Sequence, residues 1–164
     1  GIFNHRQGWG IMDECMLGHG DSAYEYLLAS MPAAYKTKAE GRQCEPYVQA
    51  QTTYSTYAPR AGNTRTAWLT GAAAWSYFSA TQYILGIRPE ADGLRLDPCI
   101  PSTWDGFSAT RQFRGRTLRI VVHNPEHVCQ GVVNLTVDGV AVQGNLISAD
   151  LSAGEHQVEA WLGK

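Results

Sequence analysis

Apolar residues along this chain keep two different periods, and the change falls near residue 86. Before it the spacing is helical. In residues 9–17 (WGIMDECML), Trp9, Met12 and Met16 share one helical face, with Ile11 and Cys15 beside them. Gly18-His19-Gly20 breaks that run. Asp21 stands as an N-cap for a second run, SAYEYLLASM, which Pro32 follows. Two helices around a short glycine-rich link predict an αα-hairpin. A third helix is predicted from about residue 71 to 85, where AAAWSYFSATQYIL ends at Gly86 and Pro89 prevents a restart. Residues 32–69 keep no period and carry Tyr35, Tyr47, Tyr54, Tyr57 and Trp68. A loop this long is functional or disordered, and its aromatic content argues against disorder.

The second half reads as short strands. Arg114-Gly115 separates SATRQF from RTLRIVV, and Asp138-Gly139 separates VVNLTV from VAVQG. Ala153-Gly154 separates ISADL from HQVEAWL. Each pair predicts a hairpin, and together they predict an antiparallel sandwich. Residues 87–107 are expected to be an irregular link holding one strand, LRLDP. Three helices do not close a helical domain. The opening GIFNHRQGWG, with no methionine and no polar lead-in, looks like the middle of a protein. A C-terminal portion of something larger is therefore expected.

Composition narrows the function class. The 164 residues are 44% hydrophobic and 17% charged, which fits one globular domain or pieces of two. A net charge of −2 offers no electrostatic case for nucleic acid or an anionic membrane. No run of about 18 apolar residues occurs, so no membrane partner is expected. Cys15, Cys44, Cys99 and Cys129 form no C-x-x-C pair, so no metal site is expected. They read as reduced thiols of a cytoplasmic protein. Asn134-Leu135-Thr136 fits a glycosylation acceptor that such a protein would not use.

Candidate chemistry is sparse. Thr70-Gly71 directly precedes the third helix. It reads either as an ordinary cap or as a seat for an anion, because a helix start offers unpaired N–H groups and a positive dipole end. His5, just before the first helix, is a structural residue or a ligand contact. His19, His123, His127 and His156 lack ligand spacing and read as structural or surface residues. Glu40 and Glu45 lie in the aromatic loop, yet nothing identifies a catalytic acid. Gln43, Gln49 and Gln51, with Thr52, Thr53, Ser55 and the tyrosines, make either a packed polar loop or the amide, hydroxyl and flat-ring mixture that sugars need.

Several stretches carry a resemblance: GIFNHRQGW, ECMLGHGDSAYEYLLASMPAAY, QCEPYVQAQTTYSTYAPRAG, and above all ATQYILGIRPEADGLRLDPCIP. From residue 1 to roughly 125 the chain resembles the C-terminal part of family 94 of the glycoside hydrolases, the cellobiose, chitobiose and cellobionate phosphorylases. The resemblance implies an α+β fragment. Residues 1–86 would be the end of an (α/α)6 barrel, and residues 87–164 a linker and a C-terminal antiparallel β-sandwich, the jelly roll. It implies cleavage of a β-linked disaccharide by inorganic phosphate with inversion, giving α-glucose 1-phosphate for cellobiose. Phosphate is then a substrate, and no cofactor is expected.

The resemblance favours the phosphate seat. In the family a histidine and a Thr/Ser-Gly pair at a helix start hold phosphate, and the matching positions are His5, Thr70 and Gly71. Gln51 matches a sugar-binding glutamine. His5 is expected to donate a hydrogen bond and, if protonated, to add charge. The family's general-acid aspartate and a phosphate-binding arginine match no residue here, so no catalytic residue is assigned within this stretch. The expected partners are a disaccharide, phosphate, the remainder of the same enzyme and a second copy in a homodimer. Cellobiose-type members carry a histidine and a lysine near residues 54–56, where this chain has Tyr54, Ser55 and Thr56. Glucose, N-acetylglucosamine and gluconate all stay open as acceptors. The rival reading is a non-catalytic carbohydrate-binding or interaction module built on the sandwich.

Overall fold

The computed structural model describes residues 1–68 and 70–164; Leu69, at the end of the predicted aromatic loop, lies outside the described residues. Strand β1 (Ile2–Phe3) leads into α1 (His5–Met16), and α2 (Gly20–Ser30) packs against it as the predicted hairpin. Ile11 and Cys15 of α1 and Ala23 and Leu27 of α2 are buried, each pair four apart and so on one face. Asp21 does not cap α2, which begins one residue earlier. Its carboxylate instead accepts the Ser102 N–H at 2.8 Å and the Ser102 hydroxyl at 3.0 Å. A partner 81 residues away replaces the local backbone, and this ties the helices to the second half.

The segment expected to be an irregular loop is partly built. A 3-10 helix, Pro32–Lys38, runs into the short α3 (Ala39–Arg42). Then β2 (Ala50–Thr53) pairs antiparallel with β3 (Thr64–Ala67), and β1 adds to the other edge of β2. Their sequences, AQTT and TRTA, show no apolar alternation, so a reading based on period passes over them. The third predicted helix is α4 (Ala72–Ser79), continued by a π-helical turn, Ala80–Ile84. The Leu85 N–H closes that wider turn on the Ala80 carbonyl at 2.9 Å. Gly86 stops it at φ +64°, where a Cβ would sit 2.1 Å from the Asp97 carbonyl carbon.

The link holds two strands rather than one: β4 (Ile87–Pro89) and β5 (Gly93–Leu96). β6 (Gly106–Phe113) and β7 (Arg116–His123) form the expected hairpin, as do β8 (Val132–Val137) and β9 (Val140–Ala141). Both turns place two consecutive residues at positive φ: Arg114 at 49° with Gly115 at 77°, and Asp138 at 51° with Gly139 at 79°. That is the geometry of turns that follow strand twist.

The third hairpin does not form. β10 (Leu146–Ser148) pairs with β5 in the small sheet β10-β5-β4, while β11 (Gly154–Leu162) enters the large sheet, of order β6-β7-β11-β8-β9. There β11 runs parallel to β7, with Gly154 opposite Arg116. The expected antiparallel sandwich is therefore corrected to a mixed sheet with a small antiparallel one. A turn signal marks where the chain bends, not which strand it meets. The long connection a parallel pair needs is supplied by residues 124–153.

Leu118, Ile120 and Val122 of β7, with Val158, Ala160 and Leu162 of β11, turn one apolar face inward. They join Ile11, Cys15, Leu27 and Ile84 in one core that crosses residue 86. Each large aliphatic side chain there contributes roughly 1.5–3 kcal/mol of burial. All four cysteines are free thiols among the described residues. A hydrogen bond to Cys15, then burial, pushes the Cys99 thiol up and keeps it protonated where α1 meets the link. Among the described residues no helix is long and apolar enough to cross a membrane.

His156 shows how the sheet uses charge. Its Nδ1 faces Asp138 Oδ2 at 2.7 Å and its Nε2 faces the Ser152 carbonyl at 2.9 Å. Both partners only accept, so both ring nitrogens carry protons. The Asp138 hydrogen bond, then the Ser152 one, raises the His156 pKa above its ordinary value, and the same contact lowers that of Asp138. The stabilisation is complete below the unfolded histidine value, about 6.5, and is lost as pH rises through the raised folded value. On the acid side it is lost as Asp138 takes up its proton. Asp138→Asn keeps a residue that tolerates positive φ and removes the charge. Its Tm deficit against the parent should be wider at about pH 6 than at about pH 9; a deficit that ignores pH would remove the ion pair as its cause.

Candidate functional site

The starts of α1 and α4 meet. His5, in the first turn of α1, takes the Gly71 N–H on its Nε2 at 2.8 Å. The Thr70 hydroxyl lies 3.0 Å from the same nitrogen and accepts the Ala72 N–H at 3.0 Å. A ring nitrogen that accepts an N–H carries no proton, and its single lone pair is engaged by Gly71, with the Thr70 hydroxyl in contact beside it. In this structure the same nitrogen accepts a backbone N–H. Gly71, not Thr70, is the residue flanking α4, yet Thr70 still satisfies one N–H of its first turn.

Two glycines permit this contact. Gly71 has an ordinary φ of −80°, so its value is space: a Cβ there would lie 3.1 Å from His5 Cε1 and 3.3 Å from Nε2. One turn along α1, a Cβ on Gly8 would lie 2.9 Å from the Trp75 Cβ and 3.0 Å from the Trp75 carbonyl oxygen. The two helices thus approach backbone to side chain, and Trp9 packs edge-on against Trp75, ring centres 5.7 Å apart. Among the described residues, Trp75 is the first of α4 whose N–H bonds back to a backbone carbonyl, that of Gly71 at 3.1 Å. The exposed Ala73 and Ala74 precede it, and their N–H groups have no partner among the described residues. These amides, with the positive end of the helix, suit an anion.

Asn4, which sequence reasoning passed over, organises the rest. Its N–H donates to the Gln51 carbonyl at 2.8 Å, and its amide donates to the Ala50 carbonyl at 2.8 Å and to the Thr53 hydroxyl at 3.2 Å. An asparagine directly before a helix reads as a cap; this one makes no side-chain cap bond and pins β2 instead. Gln51 is thereby held beside the start of α1, and its side chain makes no hydrogen bond among the described residues. Gln49 reaches α4 through Ser76 at 3.4 Å.

The backbone that delivers Thr70 is strained. Thr66 and Trp68 have φ of 55° and 70°, conformations that cost of order 1–3 kcal/mol each and collect at functional sites. Glu40 is exposed on α3. Its own backbone N–H, then the Trp68 indole at 3.2 Å, holds the Glu45 carboxyl below the usual carboxylate range. A group held ionised is poorly suited to donate a proton. Among the described residues no three histidines, cysteines or carboxylates group as metal ligands. The structure therefore brings His5, Thr70 and Gly71 together, sets Gln51 beside them, and leaves Glu40 and Glu45 outside the cluster.

Residues 1–86 match the family described as glycosyl hydrolase 94 superfamily, catalytic domain, and residues 87–129 match glycosyl hydrolase family 65, C-terminal domain. The chain is 40% identical over 162 residues to an N,N'-diacetylchitobiose phosphorylase of Vibrio proteolyticus, which covers 99% of this chain and 20% of that protein. It is 39% identical over 162 residues to the protein of that name from Vibrio furnissii, again 99% and 20%. A solabiose phosphorylase of Paenibacillus borealis is 33% identical over 149 residues, 91% of this chain and 19% of that protein. The chain thus spans about a fifth of the length of the curated relatives it matches.

The Gly8 contact is testable. Gly8→Ala should force α1 and α4 apart and cost about 1–3 kcal/mol in denaturant unfolding. Stability equal to the parent would mean that the two helices are not in contact there.

Proposed function

This chain belongs to the glycosyl hydrolase 94 superfamily, and from that premise we propose that it forms the phosphate- and donor-sugar-binding part of an inverting disaccharide phosphorylase. In this reading His5, Thr70 and Gly71 hold phosphate and Gln51 contacts the sugar. Residues 1–86 complete an (α/α)6 barrel with the remainder of the enzyme, and residues 87–164 form its sheet-built C-terminal region. The general acid comes from residues other than these. The observation that carries the reading is the contact of His5 Nε2 with the Gly71 N–H at the start of α4.

The chemistry follows from the nucleophile. A phosphate oxygen forms the bond to the anomeric carbon as the bond to the glycosidic oxygen breaks, and a proton passes from the acid to that oxygen. Inverting hydrolysis needs an acid and a base because water must be activated; phosphate arrives already anionic, so only the acid is needed. The task left to this chain is to hold that anion in line. Turning the Gly71 N–H from His5 Nε2 to a phosphate oxygen, and placing a proton on the freed nitrogen, would set a backbone N–H, an imidazolium N–H and the Thr70 hydroxyl around one anion.

The substrate is a β-linked disaccharide. The two N,N'-diacetylchitobiose phosphorylases, at 40% and 39% identity, support testing that sugar ahead of cellobiose and cellobionate. The protein that carries this chain should release a sugar 1-phosphate only when phosphate is present. Thr70→Ala and His5→Ala should raise the KM for phosphate about tenfold or more while moving that for disaccharide less, since an oxyanion-type donor is worth roughly 3 kcal/mol. Product formation independent of phosphate, or an unchanged phosphate KM in both variants, would sink the assignment.

A further inference from the structure

A cation-lined cavity lies beside the start of α1. It encloses about 530 Å³, within the roughly 300–1,000 Å³ typical of small-molecule sites. Neither His5, Gln51, Thr70 nor Gly71 lines it. Asn4 and Gln7 of the α1 start face it from one side, Tyr35 and Lys38 from the 3-10 helix, and Arg42 from α3. Two of its wall residues are cationic and none is acidic. Neither cation forms an ion pair among the described residues.

Arg42 adds an independent sign. Its Nη2 donates to the Val48 carbonyl at 3.3 Å, while its Nη1 is buried and has no hydrogen-bond partner among the described residues. A buried guanidinium N–H left unpaired is costly, and it is ordinarily satisfied by a group with acceptor oxygens. Lys38 is 5.7 Å from the Tyr35 ring centre, which holds its ammonium near the cavity wall without neutralising it. The Gln7 amide and the Tyr35 hydroxyl make no side-chain hydrogen bond among the described residues and add neutral donors and acceptors.

We propose that this cavity binds a small anionic sugar, its carboxylate or phosphate set between Lys38 and Arg42 and its hydroxyls against Gln7 and Tyr35. The anion answers two cations that line the cavity with no acidic wall residue. The neutral wall groups answer a polyol rather than a bare ion. The site is separate from the His5 cluster, so it stands whether or not that cluster handles phosphate in a reaction.

Isothermal titration of the full protein with glucose 6-phosphate, glucuronate and neutral glucose tests this. Saturable binding of one or both anionic sugars is expected, weakened at least tenfold in Lys38→Gln and unchanged in His5→Ala. Binding of glucuronate alone identifies a sugar acid as the ligand, and binding of glucose 6-phosphate alone a sugar phosphate. Arg42→Lys, which keeps the charge and loses the planar fork, should weaken binding as well. The proposal is overturned by no saturable binding of either anion, by equal binding of glucose, or by binding that survives Lys38→Gln. Loss in His5→Ala alone would assign the anion to the first cluster.

Discussion

The contact between the Gly71 N–H and His5 Nε2 is the constraint from which the helical half is arranged. It joins residues 66 apart in sequence, and it requires two helix starts to come close enough for a ring nitrogen to meet a backbone amide. Only missing side chains allow that. Gly71 leaves room for the imidazole, and Gly8 lets α1 settle against Trp75 one turn later. The direction of the hydrogen bond matters as much as its length. Because the nitrogen accepts, the cluster is held by a neutral ring, a hydroxyl and two amides.

The packing core does not include this cluster. Apolar burial fixes α1 and α2 through Ile11, Cys15, Ala23 and Leu27, and fixes the sheets through β7 and β11. The polar groups hang on the edge of that frame, held by hydrogen bonds. Asn4 ties β2, and with it Gln51, to the residue beside His5. Asp21 and Ser102 lock α2 to the second half, so the frame presenting the α1 start is braced from both sides. Left-handed backbone at Thr66 and Trp68 is tolerated where β3 hands the chain toward Thr70.

Periodic parts of this architecture were legible in the sequence, and contact-dependent parts were not. The α1–α2 hairpin, the α4 run with its stop at Gly86, and the Arg114-Gly115 and Asp138-Gly139 hairpins all follow from local spacing and turn chemistry. The small sheet β1-β2-β3 does not, because its strands are polar, short and brought together from far apart. Nor does the parallel pairing of β7 with β11, since both strands would alternate identically in either orientation. For the site, the Thr-Gly pair before a helix and a nearby histidine could be singled out, but the hydrogen bond from the Gly71 N–H to His5 could not. Donor and acceptor are settled by the neighbour, and the neighbour is a backbone N–H that no residue pattern encodes.

The two regions proposed to take anions differ in a way that suits different tasks. An anion that must attack a carbon should be oriented without being over-stabilised in the ground state, because binding that is equally strong before and in the transition state leaves the chemical step unaccelerated. On the proposed reading, backbone amides, a hydroxyl and a ring nitrogen meet that requirement, because they fix direction with dipoles rather than with a permanent charge. A ligand that is bound without reacting carries no such restriction. On the second proposed reading, permanent cations such as Lys38 and Arg42 are the appropriate means there. On the two proposed readings, the separation of a dipole-lined helix start from a cation-lined cavity divides orienting a reactant from retaining a ligand.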